Sequence, residues 1–329
     1  MAKRTVKTRF LVISDTHGSE DFRTPLDPAD VAIHCGDLTQ ESKLDEFQET
    51  LRFLKQLDAS LKLVIAGNHD FTLDTPVFER KIAEAGPLEQ TLVDQEYGVF
   101  GQARRLLDDA ADDGIVFLDE GVHHFDLANG AHLTVFASPY TPSTNDSAFQ
   151  YHPYLNDYWD IDPLADIVIT HGPPQGILDM SFSNERLGCP GLFQEIARRK
   201  PLMHCFGHVH EAWGAKLVQW RRATPDFPSH FTAIENQCSY VIDSLDRLGQ
   251  SRFDSVATIE EKEERKREYE RERVVRTRHC EGDEFPAVRG FHTLFVNAAV
   301  QGVEEDPAKY PWLVELQLPL AERDGNAST

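Results

Sequence analysis

Six short apolar runs, at residues 10–13, 31–33, 61–66, 133–137, 167–169 and 202–206, divide the first two thirds of this chain. Runs of this length, rich in Val and Ile and bounded by glycine or polar residues, are the pattern of strands buried on both faces. Five of the six lead directly into residues able to ligate a cation. These are Asp15 with His17, Asp37 after Gly36, Asn68-His69-Asp70 after Gly67, His171, and His208 with His210 after Gly207. Open α/β sheets gather their ligand sites beyond the carboxyl ends of the strands, so the five clusters are expected to converge on one rim.

Between two of the runs, Leu44, Phe47, Leu51 and Leu54 recur at three and four residues, which predicts an amphipathic helix. Ser42, with Asp45 three positions on, resembles a capping box at its start. A weaker helical pattern covers 100–111. Strands alternating with helices place the chain in a layered α/β class. Apolar patterning resumes at 291–300 and 312–318, so closing strands are expected to return to the same core, and residues 1–329 read as one domain.

Two segments stand outside that pattern: an insertion at about 245–285 and a tail after 320, read as frayed. From Glu260 to Arg273 the insertion carries seven acidic and six basic residues, with Tyr269 as its one aromatic or aliphatic side chain. Glu261 with Arg265 and Glu263 with Arg267 have i,i+4 spacing, and Thr258 with Glu261 fits a cap, so 258–273 is expected to be a solvated helix. A partner-binding arm is the alternative.

Lys and Arg total 33 against 55 Asp and Glu, a formal charge of −22. That balance repels polyanions at long range and argues against nucleic-acid polymers and anionic membranes as partners. The five cysteines are odd in number, scattered and without C-x-x-C spacing, as expected of reduced thiols. The basic start passes into a short apolar run with no hydrophobic leader segment, and the expected location is the cytoplasm.

The cation-ligating types combine two carboxylates, an amide oxygen and imidazoles, a donor set for adjacent divalent ions. Asp15 and His17 lie two residues apart past a strand, as do His208 and His210, so extended backbone would point each pair the same way. A carboxylate at Asp37 has two oxygens to share between ions, and Gly36 permits a tight turn before it. His69 is expected to face away from the ions, with Asp70 orienting its imidazole. His34 reads as a hydrogen-bonded core residue, and Cys35 and Cys205, in apolar strands, as small hydrophobes.

Taken in order, D-x-H, G-D, G-N-H-D, H and G-H-x-H resemble the calcineurin-like metallophosphoesterase superfamily. Residues 170–214 and 137–142 look more narrowly like its metallophosphoesterase-domain-containing, class III phosphodiesterase-like branch. The resemblance implies a sandwich of two mixed β-sheets flanked by helices. It implies that Asp15, His17 and His210 hold one metal, that Asn68, His171 and His208 hold the other, and that Asp37 bridges them. It gives His69 the role of proton donor. Some relatives in the branch replace the residue equivalent to His208 and work poorly, so its presence here favours competence.

The expected cofactors are two divalent ions, Mn2+ favoured with Fe, Zn, Co or Ni compatible. The expected reaction is in-line attack of a metal-bridging hydroxide on a small phosphodiester or cyclic nucleotide. The alternatives are a phosphomonoesterase or protein phosphatase, and a metal-stabilised scaffold that senses nucleotide or binds protein. Tyr140, which could stack on a base, and Gly188 with Cys189, which in the branch approach bound nucleotide, are the candidate substrate contacts; a core aromatic and a buried turn are the other readings.

Overall fold

In the first apolar run, Phe10 and Val12 point to one side of the strand and Leu11 and Ile13 to the other, and all four are buried. A strand apolar on both faces has to be covered on both, and that requirement builds the layers. A computed structural model describes residues 4–19, 25, 27–145, 147–153, 159–301 and 309–321. The tail after 320 falls, apart from Ala321, outside the described residues.

In chain order the strands are β1 (Thr5–Ile13), β2 (Ala29–His34), β3 (Ala59–Val64), β4 (Ile115–Phe117), β5 (Gly121–Asp126), β6 (His132–Ser138), β7 (Thr141–Pro142) and β8 (Gln150–Tyr151). They continue with β9 (Ile167–Thr170), β10 (Met203–Phe206), β11 (Gly214–Gln219), β12 (Tyr240–Ser244), β13 (Val275–Arg278), β14 (His292–Asn297) and β15 (Trp312–Pro319). The helices are α1 (Leu44–Gln56), α2 (Thr75–Glu84), α3 (Gln90–Glu96), α4 (Gln102–Asp108), α5 (Pro190–Arg199), α6 (Leu245–Leu248) and α7 (Val256–Glu272).

One sheet runs β13-β15-β1-β2-β3-β4 and the other β12-β11-β14-β10-β9-β6-β5. Both are mixed. Strands β1 to β4 pair in parallel, as do β6, β9, β10 and β14, while β15 runs antiparallel to β1 and β11 antiparallel to β14. Near its end the chain alternates between sheets, with β13 and β15 in the first and β14 in the second.

Phe10, Val12, Val31 and Ile33 meet Val135, Ile167, Cys205 and Val296 between the sheets. Outside the first sheet, Phe47, Leu51 and Leu54 of α1 and Leu107 of α4 cover Leu11, Ile13 and Val64. Outside the second, Leu192, Phe193 and Ile196 of α5 cover Val168, Phe206 and Phe295. The resulting architecture is an α/β sandwich with helices on its outer faces.

Three local expectations are corrected. Helix α1 is capped by Lys43 and Glu46, whose carboxylate accepts the Lys43 N–H at 2.9 Å. Ser42 is instead drawn into a tertiary hydrogen bond with Thr72 Oγ1 at 2.8 Å, at a left-handed φ of 62°. Helix α4 ends at Asp108 and continues as a 3-10 segment, Asp109–Asp113.

The charged segment is helical but starts earlier, capped by Ser255, whose Oγ accepts the Thr258 N–H at 3.1 Å. Its ion pairs include Lys266 with Glu263 and Arg267 with Glu264, at i,i+3 spacing, while Arg265 reaches Asp243. Tyr269 packs against the central core and donates to Asp243 Oδ2 at 2.7 Å. Tyr269, with Arg265 on the same Asp243 carboxylate and Lys262 on the Gly249 carbonyl at 2.6 Å, therefore docks a largely solvated helix.

Phe47 is fully buried against the first sheet, so Phe47→Ala is expected to cost about 3–5 kcal/mol of unfolding free energy. Arg267→Ala, on the exposed face of α7, is expected to stay within about 0.5 kcal/mol. Denaturant titration of both variants checks the contrast.

Candidate metal centre

The loops that follow β1, β2, β3, β9 and β10 meet at one edge of the sandwich, because those strands run in parallel within their sheets. Backbone hydrogen bonds knit them: Asp15 N to Gly36 O, His17 N to Asp37 O and Gly207 N to His171 O. Three overlapping groups place their ligating atoms within 4.8 Å of one another: Asp15, His17 and His210; His17, Asp37 and His69; and Asp37, His171 and His208.

The extended backbone expected of the D-x-H and H-x-H pairs is not what brings them together. Asp15, His17, Asp37 and His208 all take left-handed conformations, with φ of 55°, 49°, 52° and 67°. Such torsions are unfavourable for residues with a Cβ and persist where the surroundings over-determine them, typically at functional sites. Gly36 turns the chain into Asp37 with φ of 98°, and a Cβ there would press on the Ala66 carbonyl and the His171 ring.

Asp15 and His171 have no exposed surface, and Asp37 and His17 have little. Such burial of acids demands compensation. Asp15 accepts the His208 N–H at 3.1 Å and lies 3.0 Å from His210 Nε2, while Asp37 accepts the His69 N–H at 2.8 Å. Burial disfavours both carboxylates, but the surrounding imidazoles outweigh it and hold both below the usual carboxylate range. Burial lowers His17 and His208 to about 4, so both rings are neutral and offer lone pairs.

His171 shows how a ring is aimed. Its Nδ1 donates to the Cys35 carbonyl at 2.9 Å, fixing the tautomer and leaving Nε2 toward the cluster. There Nε2 faces Asn68 Oδ1 at 2.9 Å and Asp37 Oδ2 at 3.3 Å. Three electron-rich atoms converge on a point that needs positive charge. Burial opposes a proton there, but Asp37 and Asp15 prevail and push His171 up to about 9.

The residues present fit divalent cations on two further observations. Ligands that each lie about 2.1 Å from one ion sit roughly 3 Å apart, close to the spacings at Asp15–His210, Asn68–His171 and Asp37–His171. Both ring nitrogens of His17 are buried without a hydrogen-bond partner, although Nε2 lies 3.8 Å from Asp37 and 4.0 Å from Asp15. Four imidazoles, two carboxylates and an amide oxygen suit borderline first-row metals.

His69 lies at the rim, half-buried, with its ring edge-on to His17 at 4.8 Å between centroids. Its Nδ1 hydrogen-bonds the Gln40 carbonyl at 2.8 Å, so Gln40 and not Asp70 orients the imidazole. Asp70 is buried beneath, accepting Gly67 N at 2.8 Å, Leu38 N at 3.1 Å, Thr39 N at 3.0 Å and Thr39 Oγ1 at 2.7 Å. Burial and the neighbouring Asp37 raise it to about 7 against those bonds. It is a brace that ties the Asp37 loop to the Asn68 loop.

Other candidates are not among the grouped ligating residues. Tyr140 is half-buried and packs edge-on against Phe149. Gly188 and Cys189 run beside the Pro173–Pro174 turn that follows His171, and the Cys189 thiol is turned inward. Its Sγ accepts Leu192 N–H at 3.3 Å and Trp159 Nε1–H at 3.4 Å, so it caps α5 and presents no free thiol to a ligand. His34 hydrogen-bonds Thr16 Oγ1 at 2.9 Å, and burial lowers it to about 3.

Sequence reasoning missed Asn297. Buried at the end of β14, its Nδ2 donates to the Val209 carbonyl at 2.9 Å, between His208 and His210, and to the Leu178 carbonyl at 3.2 Å. The available signal was an asparagine ending an apolar run, the position that the five ligand clusters share.

A layered sandwich with this donor cluster at its strand ends defines a metallophosphoesterase. A model of the calcineurin-like phosphoesterase family matches residues 8–212, and the chain belongs to that family. Relatives include metallophosphoesterase domain-containing protein 1 of Homo sapiens, 31% identical over 214 residues (63% of this chain, 62% of that one). A UPF0046 protein of Caenorhabditis elegans is 32% identical over 219 residues, 63% of this chain and 52% of its own. A probable rhamnogalacturonate lyase C of Emericella nidulans is 32% identical over 216 residues, 64% of this chain and 18% of its own. The chain thus spans less than two thirds of each of these relatives. Among the described residues, no helix is long and apolar enough to cross a membrane.

Removing the Asp70 carboxylate strands several buried donors, each worth about 1–3 kcal/mol when unpaired. Asp70→Ala is expected to lose roughly 2–5 kcal/mol of stability, read by denaturant unfolding. Divalent cation at about a hundred times its Kd is expected to add about 2.7 kcal/mol to wild-type stability. In Asp37→Asn that gain is expected to shrink sharply, as thermal unfolding with and without Mn2+ would show.

Proposed function

We propose that this phosphoesterase hydrolyses small phosphodiesters, cyclic nucleotides among them. The observation that carries the hydrolytic reading is the convergence of Asn68, His171 and Asp37 at 2.9–3.3 Å, beside buried His17 nitrogens that no protein group satisfies. In this reading Asp15, His17 and His210 hold one divalent ion, Asn68, His171 and His208 the other, and Asp37 both, with Mn2+ favoured. When bound, such ions acidify a water molecule and stabilise charge on phosphoryl oxygens.

The chain's own residues do the rest. The Cys35 carbonyl and the Asp15 carboxylate orient His171 and the His208 backbone. The burial of Asp15, Asp37 and His171 keeps bulk water from one side of the cluster, while half-buried Asn68, His69 and His210 leave the other side open. His69 holds a proton on Nδ1 against the Gln40 carbonyl. Its Nε2 is free to pass a second proton to the leaving oxygen, general-acid assistance worth about 10²–10⁴ in rate.

The diester preference rests on the resemblance of residues 170–214 and 137–142 to the class III phosphodiesterase-like branch. Turnover of bis(p-nitrophenyl) phosphate and of p-nitrophenyl phosphate, each with and without Mn2+, tests it. Metal-dependent cleavage of the diester is expected to exceed that of the monoester; the reverse order would make the enzyme a phosphomonoesterase. His69→Ala is expected to lower kcat at least about a hundredfold with bound metal unchanged, whereas Asp37→Asn loses both rate and metal. Undiminished turnover in both variants would mean that the cleft is a scaffold.

A further inference from the structure

Among the described residues, no carboxylate answers the half-buried cation of Lys216 on β11. Its strand partner in β14 is Phe295, so it stands on the outer face of the second sheet, level with a cluster of buried aromatics. The register against β12 shifts between Ala215 and Lys216, where Ile242 is the extra residue on β12. Among the described residues, Lys216 Nζ makes no hydrogen bond or ion pair, and burial with the nearby Arg186 charge disfavours its protonation.

Two further basic groups share the place. Arg186 closes a turn that begins at Met180, and its Nη1 donates to the buried carboxylate of Asp179 at 2.7 Å. That carboxylate also accepts the Gly176 N–H at 2.8 Å, so its charge is committed to Arg186 and the turn. The His230 ring lies against Gly176, whose φ of 91° and closeness to the ring leave no room for a Cβ. Its Nε2 is buried without a partner, and the charges of Arg186, Asp179 and Lys216 all act on it.

One acid thus faces an arginine, a lysine and an unsatisfied imidazole, in a protein of net charge −22. Retaining an unpaired, half-buried ammonium beside a second cation is costly unless an anion binds there. The group adjoins the metal centre: the Leu178 carbonyl, next to Asp179, shares the Asn297 amide with the Val209 carbonyl between two proposed ligands.

We propose that Lys216, Arg186 and His230 form an oxyanion subsite for a phosphate group beside the metal centre. The phosphate is either a second one on the substrate or free inorganic phosphate; the substrate arm rests on the hydrolytic reading above, and the binding arm does not. Arg186 offers further N–H donors, Lys216 an ammonium and His230 an Nε2–H, a set that matches a tetrahedral oxyanion and disfavours a cation.

Calorimetric titration of the full chain with inorganic phosphate at low salt tests the binding arm, with and without Mn2+. A metal-independent phosphate site is expected. Its Kd is expected to rise tenfold or more in Lys216→Gln and to be restored in Lys216→Arg, with unchanged circular dichroism and metal content in both. Absence of metal-independent binding, or equal binding in Lys216→Gln, would overturn the subsite even if hydrolysis is found.

The source is told apart with thymidine 5′-(p-nitrophenyl phosphate) and its 3′-phosphorylated form. A lower KM for the 3′-phosphorylated ester that disappears in Lys216→Gln assigns the subsite to the substrate. Equal KM values, with phosphate binding retained, assign it to free phosphate.

Discussion

The carboxylate of Asp15 fastens the two sheets together at the point where the chemistry sits. It leaves the end of β1 in the first sheet and accepts the backbone N–H of His208, which follows β10 in the second, while His210 Nε2 lies 3.0 Å away. Ser14, one residue earlier, completes the seam by donating its N–H to Ala298 beyond β14. A buried carboxylate is expensive to keep ionised, and the His208 N–H and the His210 imidazole reduce that cost. The atoms that join the layers are therefore the atoms that would meet a cation, and neither role can be altered alone.

The left-handed torsions at Asp15, His17, Asp37 and His208 belong to the same economy of space. Parallel strands deliver their ends to one edge, but several side chains must then turn onto one small volume within a residue or two. An extended exit would send adjacent residues to opposite faces and carry each pair onward along the strand. The strain is sustained by what lies underneath, namely the four hydrogen bonds that Asp70 accepts from two loops and the amide of Asn297 across the third. The centre is preorganised by its undercarriage before any ion arrives.

Much of this was legible in the sequence. Strands covered on both faces leave continuous apolar runs, and those at 10–13, 31–33, 61–66, 133–137, 167–169 and 202–206 each fall on an observed strand. The family and the layered class were legible for the same reason, since the ligand types sit where the runs stop. What the sequence hid was decided by contacts between distant segments. Nothing in Asp15 or His208 announces a positive φ. Ser42 reads as a helix cap until Thr72 takes its hydroxyl, and Asp70 reads as the partner of its neighbour His69 until Thr39 and Gly67 supply better donors. Cys189 looked available to a ligand because a linear reading cannot see Trp159 closing over it.

The interleaving of the last strands between the sheets sets an order of events during synthesis. In the second sheet β14 lies between β10 and β11, and in the first β15 lies between β13 and β1. All five ligand clusters have left the ribosome long before either central strand exists. Until residues near 297 emerge, the nascent chain carries a histidine- and aspartate-rich edge with two unfilled slots in its sheets. The centre can close only after β14 and β15 have been made, which places its assembly later than the synthesis of every segment that carries a ligand cluster.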